Sequence, residues 1–226
     1  MIRLGLSAVC LAGLLASGVT AACTSNLLID DFTLWTSGVN NLDWENGDDG
    51  TMEWIAASPG QVVFVPRGDD SYFYESFDCQ QAVTNGYGGI QFTVEGPAGA
   101  SLAVELQTKE NCDNGREGPY KSSYNIVSDL TGQRQAIKLP LQGFDNDPNY
   151  DAIIAIVWSG FEDTGEQWSI GNVTLICGDP GTGTSPPQTT GKAHGANEID
   201  DTSDLHRSHH IFRRHVPVSH VLKPAH

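Results

Sequence analysis

In the stretch LLIDDF, residues 27–32, an apolar run ends in two adjacent carboxylates, Asp30 and Asp31. Two acids hydrolyse a glycoside when they face each other across a sugar, about 5–5.5 Å or 6.5–9.5 Å apart. Neighbours on a strand point to opposite faces, so on a strand these two cannot serve one substrate as acid and base. Nucleophilic triads in most versions need an imidazole, and no histidine occurs between residues 23 and 177. The other acids of that stretch leave a facing pair open, so glycoside-active chemistry stays as one alternative.

The aromatic residues suggest binding rather than catalysis. Trp35, Trp44, Trp54, Trp158 and Trp168 are accompanied by Tyr72, Tyr74, Tyr120 and Tyr124. Sugar faces present C–H groups that pack on such rings, while Asn, Gln, Asp and Arg bind hydroxyls. Tryptophan in a β-protein is usually core, and Trp54 in MEWIA and Trp168 are assigned there. Trp35 and Trp44 fall in the loop-like LWTSGVNNLDWENGDDG, and Tyr120 and Tyr124 in NGREGPYKSSY. With Arg116, these four are the candidate ligand-binding residues.

The elements that must position them are strands. In GIQFTVE, Ile90, Phe92 and Val94 alternate with polar residues; in SLAVELQ, Leu102, Val104 and Leu106 alternate with Ala103, Glu105 and Gln107. This is the period of a half-buried strand. About ten such runs, separated by Gly, Pro, Asn and Asp, predict an all-β antiparallel sandwich or barrel, and the sandwich is the expected fold. The last run, WSIGNVTLI, changes parity between Ile170 and Val173. A bulge at Gly171-Asn172 would restore one inward face and turn Asn172 outward. Asn172 is also the acceptor of the sequon Asn172-Val173-Thr174, a candidate glycosylation site.

The two ends differ from this middle. Residues 1–21 have an early Arg, an apolar core and small residues at a cleavage point after Ala21 or Ala22, which reads as a secretory signal peptide. The expected location is extracellular, and no further apolar run is long enough to span a membrane. Residues 22–177 form the expected domain, holding Cys23, Cys79, Cys112 and Cys177. Three pairings are open in an oxidising compartment; Cys79–Cys112 with Cys23–Cys177 is preferred because the latter joins the domain's ends. Residues 178–226, rich in Gly, Pro, Ser and Thr and holding all seven histidines, read as a disordered tail. His-rich tracts can bind copper or zinc, and Arg213-Arg214 resembles a processing site. Of 28 acids and 12 bases in the chain, 23 acids but only six bases lie between residues 23 and 177. Such a surface repels nucleic acid and anionic membranes and suits a neutral or cationic partner.

A first strand ending Ile29-Asp30-Asp31-Phe32, a following Trp and Gly-rich stretch, and a last strand Trp168–Leu175 resemble the galactose-binding-like jelly rolls. These include several carbohydrate-binding modules and the domain of the complex I intermediate-associated assembly factors. Asp30–Phe32, Asp48–Met52 and Tyr72–Cys79 are similar to features of small secreted fungal proteins. The resemblance covers about residues 24–177 and implies a jelly roll. It also implies a structural calcium near the first strand, with Asp30 and Asp31 as ligands. Where an acid would be expected on the last strand, this chain has Gly171. The residues alone allow a plainer reading, in which one Asp binds loop amides and the other is solvated. The expected function is secreted, non-catalytic binding of a cell-wall or plant saccharide. The alternatives are an interaction or effector protein that binds another extracellular protein, and a glycoside-active enzyme.

Overall fold

The computed structural model describes residues 23–113, 116 and 118–178. The expected signal peptide, the tail with its histidines and Arg213-Arg214 lie outside these residues. Alternating apolar residues fold into two antiparallel sheets that face each other as a β-sandwich. One sheet has the order β3 (Met52–Ser58), β4 (Gln61–Pro66), β11 (Trp168–Cys177), β6 (Tyr87–Glu95), β9 (Gln135–Pro140), with β1 (Leu27–Asp30) also paired to β11. The other has the order β2 (Asn46–Gly47), β5 (Tyr72–Gln80), β10 (Ile153–Ser159), β7 (Leu102–Thr108), β8 (Lys121–Val127). Among the described residues, no helix is long and apolar enough to cross a membrane.

Inward residues of both sheets meet in one core. Phe64 of β4 stacks on Phe73 of β5 at 6.3 Å, and Phe92 of β6 meets Trp158 of β10 edge-on at 5.5 Å. Trp158 and Trp168 are fully buried. Two disulfides, Cys23–Cys177 and Cys79–Cys112, tie this framework. The first joins the start of the domain to the end of β11. The second joins β5 to the segment that follows β7.

Bulges decide which side chains face in. On β11 the pairing with β6 slips between Gly171 and Thr174, so Ile170, Val173 and Leu175 all point into the core. Asn172, at φ 49°, is left exposed. A second slip corrects an expectation. Met52 pairs with Pro66 but Trp54 pairs with Val65, so one extra residue sits in β3. Met52 and Ile55 therefore turn inward while Trp54 turns outward, 50% exposed. Trp54 was expected in the core because tryptophan in a β-protein is usually core; the bulge in β3 puts it outside.

Candidate functional site

The outward side of the five-stranded sheet is built by alternation across four paired strands. Core residues Phe73, Trp158 and Val104 form one inward row. The residues between them point the other way. One outward row runs Tyr72, Ser159, Ala103, Ile126; the next runs Tyr74, Val157, Glu105, Tyr124; a third runs Ser76, Ala155, Gln107, Ser122. The middle of this face is almost inaccessible: Val157 is 2%, Ala155 3%, Gln107 5% and Glu105 7% exposed. An outward residue can be so shaded only if its neighbours overhang it. Tyr74 and Tyr124 stand at the two ends of the middle row, three strand spacings or roughly 14 Å apart along the backbone. The middle of the face thus carries small residues, a carboxylate and an amide, shaded between a tyrosine at either end.

Four of the five candidate ligand residues gather on this face. At the β2–β5 edge, the Arg116 guanidinium lies over the Trp44 ring at 5.0 Å, a cation–π contact. Burial lowers the Arg116 pKa, while Glu45, Tyr74 and Asp78 pull it back up, which places all three near the guanidinium. Trp44 is half-buried against the rim of the core rather than a free platform. At the β8 edge, Tyr120 and Tyr124 flank Glu105. Burial first, then the Glu105 charge, pushes the Tyr120 phenol up to about 12 and raises Tyr124 as well. Glu105 accepts hydrogen bonds from Ser122 Oγ at 2.6 Å and Gln107 Nε2 at 3.2 Å. Beyond it, Lys109, Pro119, Tyr120, Lys121, Asp147 and Asn149 line a shallow depression of about 410 Å³.

Trp35 is elsewhere. It sits in a short 3₁₀ turn, Trp35–Ser37, half-buried, with its ring 6.5 Å from Phe32 and 6.2 Å from Phe73. Phe73 is an inward residue, so Trp35 lies on the core side of β5, opposite the outward face. It was expected to be exposed because its surroundings are turn-like; the apolar rings beside it were not visible in that local pattern.

Asp30 and Asp31 point apart, as neighbours on a strand should. Asp31 accepts from Thr33 Oγ1 at 2.6 Å and Thr33 N at 3.1 Å, and these bonds hold its carboxyl below the ordinary value. Asp30 is fully buried and accepts from Phe32 N at 2.6 Å and Asn46 Nδ2 at 2.7 Å. Behind it lies Glu75, also fully buried, whose Oε2 accepts from Asn40 Nδ2 at 3.0 Å. Burial, then the charge of Asp30, drives the Glu75 carboxyl well above its usual value, and burial raises Asp30 as well, so the pair favours retaining a proton between them. A calcium ion at Asp30 and Asp31 does not fit this arrangement. Asp30 faces N–H and O–H donors, and one of them is a backbone amide that cannot rotate away. A Cβ at Gly171 would run into the carbonyl of Gly60, so β11 has no room for an acid there. Among the described residues, no three His, Cys, Asp or Glu side chains converge as metal ligands.

Tyr72, Tyr74, Glu105 and Gln107, which were not among the expected site residues, also lie on the outward face of the five-stranded sheet. Their signal was present in the alternation of YFYESF and SLAVELQ, which sets these polar residues opposite the core. No protein-family model matches the chain, and no curated protein matches it. Among solved structures it is similar to a family 11 carbohydrate-binding module from Clostridium thermocellum in complex with a β-1,3-1,4-mixed-linked tetrasaccharide. That likeness has a TM-score of 0.47 and 13% identity, and covers 69% of this chain and 97% of that one. A mutant family 29 carbohydrate-binding module gives 0.47 and 13%, covering 72% and 99%. A family 30 module gives 0.44 and 10%, covering 58% and 90%. At TM-scores of 0.44–0.47 these likenesses are distant and assign no role to any residue of this chain.

Proposed function

We propose that this chain is a secreted, non-catalytic module that binds a cell-wall or plant saccharide in the recess of its five-stranded sheet. One observation carries the reading: aromatic walls at both edges enclose a shaded floor that bears Glu105 and Gln107. A saccharide offers what such a recess recognises, namely C–H faces for the rings and hydroxyl donors for a carboxylate and an amide. The acidic surface suits a neutral polymer better than an anionic one. Ordered floor groups already linked to Ser122 and Gln107 lower the cost of binding, since little is left to arrange.

Affinity electrophoresis through hydroxyethylcellulose, mixed-linkage β-glucan and galactomannan tests this. Wild type should be retarded by at least one polymer, and Tyr124→Ala should weaken the retardation by about tenfold in affinity. Wild-type mobility unchanged in every gel, with capture of an extracellular protein instead, would favour the interaction reading. Release of reducing ends from the same polymers would favour an enzyme.

A further inference from the structure

Tyr72 and Tyr74 form the wall of the recess at the β5 edge. They are two apart on one strand, so both rings stand on the outward side, with centroids 6.3 Å apart and planes tilted by 37°. Both phenols reach one carboxylate. Tyr72 donates to Asp49 Oδ2 at 2.8 Å and Tyr74 to Asp49 Oδ1 at 3.3 Å. We propose that Tyr72 and Tyr74 make one stacking subsite for the C–H face of a pyranose ring, and that Asp49 is the positioning residue that holds their rings. The subsite rests on the saccharide reading above; the anchoring by Asp49 does not.

The anchor is itself fixed. Asp49 lies in the tight turn between β2 and β3, at φ 50°, followed by Gly50 at φ 75°. Thr51 N donates to the Asp48 carbonyl and Met52 N to Asp48 Oδ2, both at 2.9 Å, which closes the turn. The turn is then joined to β5: Tyr72 N donates to Thr51 Oγ1 at 3.1 Å, and Thr51 Oγ1 donates to the Tyr72 carbonyl at 3.2 Å. Each tyrosine is thus held at its backbone and at its hydroxyl, with little freedom left between. Gly47, paired with Tyr74 across the strands, lies against that ring; a Cβ there would sit 3.7 Å from its hydroxyl. The Tyr74 ring therefore lies against the glycine at the sheet edge, with no side chain between them. Burial and the Asp49 charge raise both phenols above their ordinary value, as expected of hydroxyls donating to a carboxylate. With both O–H bonds turned to Asp49, the hydroxyl edges of the two rings are held together. Rings fixed before binding lose less freedom on binding.

The test uses Asp49→Asn, Tyr72→Phe/Tyr74→Phe, and the triple variant. Asparagine tolerates the positive φ of this turn, so the fold should persist. Asp49→Asn should weaken retardation by about tenfold, with melting within a few degrees of wild type. The double Phe variant should lose at least as much, and the triple variant no more than the double, because all of them act on one shared pair of hydrogen bonds. In carbon-labelled tyrosine, the Cζ resonances of two tyrosines should move in Asp49→Asn. Wild-type affinity in Asp49→Asn, or losses that multiply in the triple variant, would overturn the positioning role. Unmoved Cζ resonances would overturn the hydrogen bonds themselves. Wild type that no polymer retards would overturn the saccharide reading and the stacking subsite, and the resonances would then decide the anchoring alone.

Discussion

The two sheets turn different surfaces outward. On the six-stranded sheet, Trp54 stands beside Val65 and Ala56 beside Val63, with Ser169 and Glu95 further across. Trp54 is 50% exposed there. On the five-stranded sheet, rings stand at both ends of a row and the polar floor between them is shaded. Exposure of an aromatic ring is therefore a poor mark of a site. Trp54 is the most exposed tryptophan of the described residues, yet the Val65 paired with it offers no polar group. Tyr74 and Tyr124 are only half-exposed and bound a recess. A ligand needs concave surface and polar groups already oriented, and both come from how neighbouring strands shade one another.

The largest effect should come from the core that both faces share. Trp168→Ala should destabilise the domain by about 3–5 kcal/mol in denaturant unfolding. Loss of the Cys23–Cys177 bridge should come next, since it closes almost the whole domain: a double Ser variant should lose about 2–5 kcal/mol. Peptide mapping that recovers Cys23 joined to Cys79 would defeat that pairing. Tyr124→Ala should cost roughly tenfold in saccharide affinity, about 1.4 kcal/mol, measured by retardation. Trp54→Ala should change neither affinity nor stability by more than about 0.5 kcal/mol. A loss of affinity in Trp54→Ala would reverse the comparison and place the site on the other sheet.

A smaller effect separates proton from metal at the buried carboxyls. Glu75 keeps its proton in the fold at pH values where it has ionised in the unfolded chain. Unfolding then releases a proton, so stability should fall as pH rises from about 4.5 toward the raised value of Glu75. Glu75→Gln should flatten that slope in thermal melts across the range. Asp31 acts in the opposite sense: its lowered pKa gives stability that is lost as pH falls below 3.8. The smallest effect of all should be that of a chelator. A melting temperature that drops on chelation would restore a bound ion and refute the proton.

Much of this was legible because strands alternate with period two. GIQFTVE and SLAVELQ announced their inward and outward residues, and the parity break in WSIGNVTLI announced the bulge that exposes Asn172. The expectation that tryptophan is core failed at Trp54, where an extra residue in β3 turns the ring outward. Trp35 and Trp44 looked alike as loop residues, yet one packs on Phe73 at the core and the other carries Arg116 at the recess. Nothing local to either residue separates those outcomes.

By itself, the sequence determined the fold class, the pairing of polar and apolar faces, and the acidic surface that disfavours anionic partners. Only the tertiary structure decided which outward face is concave. It also brought Glu75 behind Asp30, 45 residues away in the chain, and set Asp49 against Tyr72 and Tyr74. The physical reason is that alternation is a property of one strand, while shading, buried charge and shared hydrogen bonds depend on which strands lie side by side.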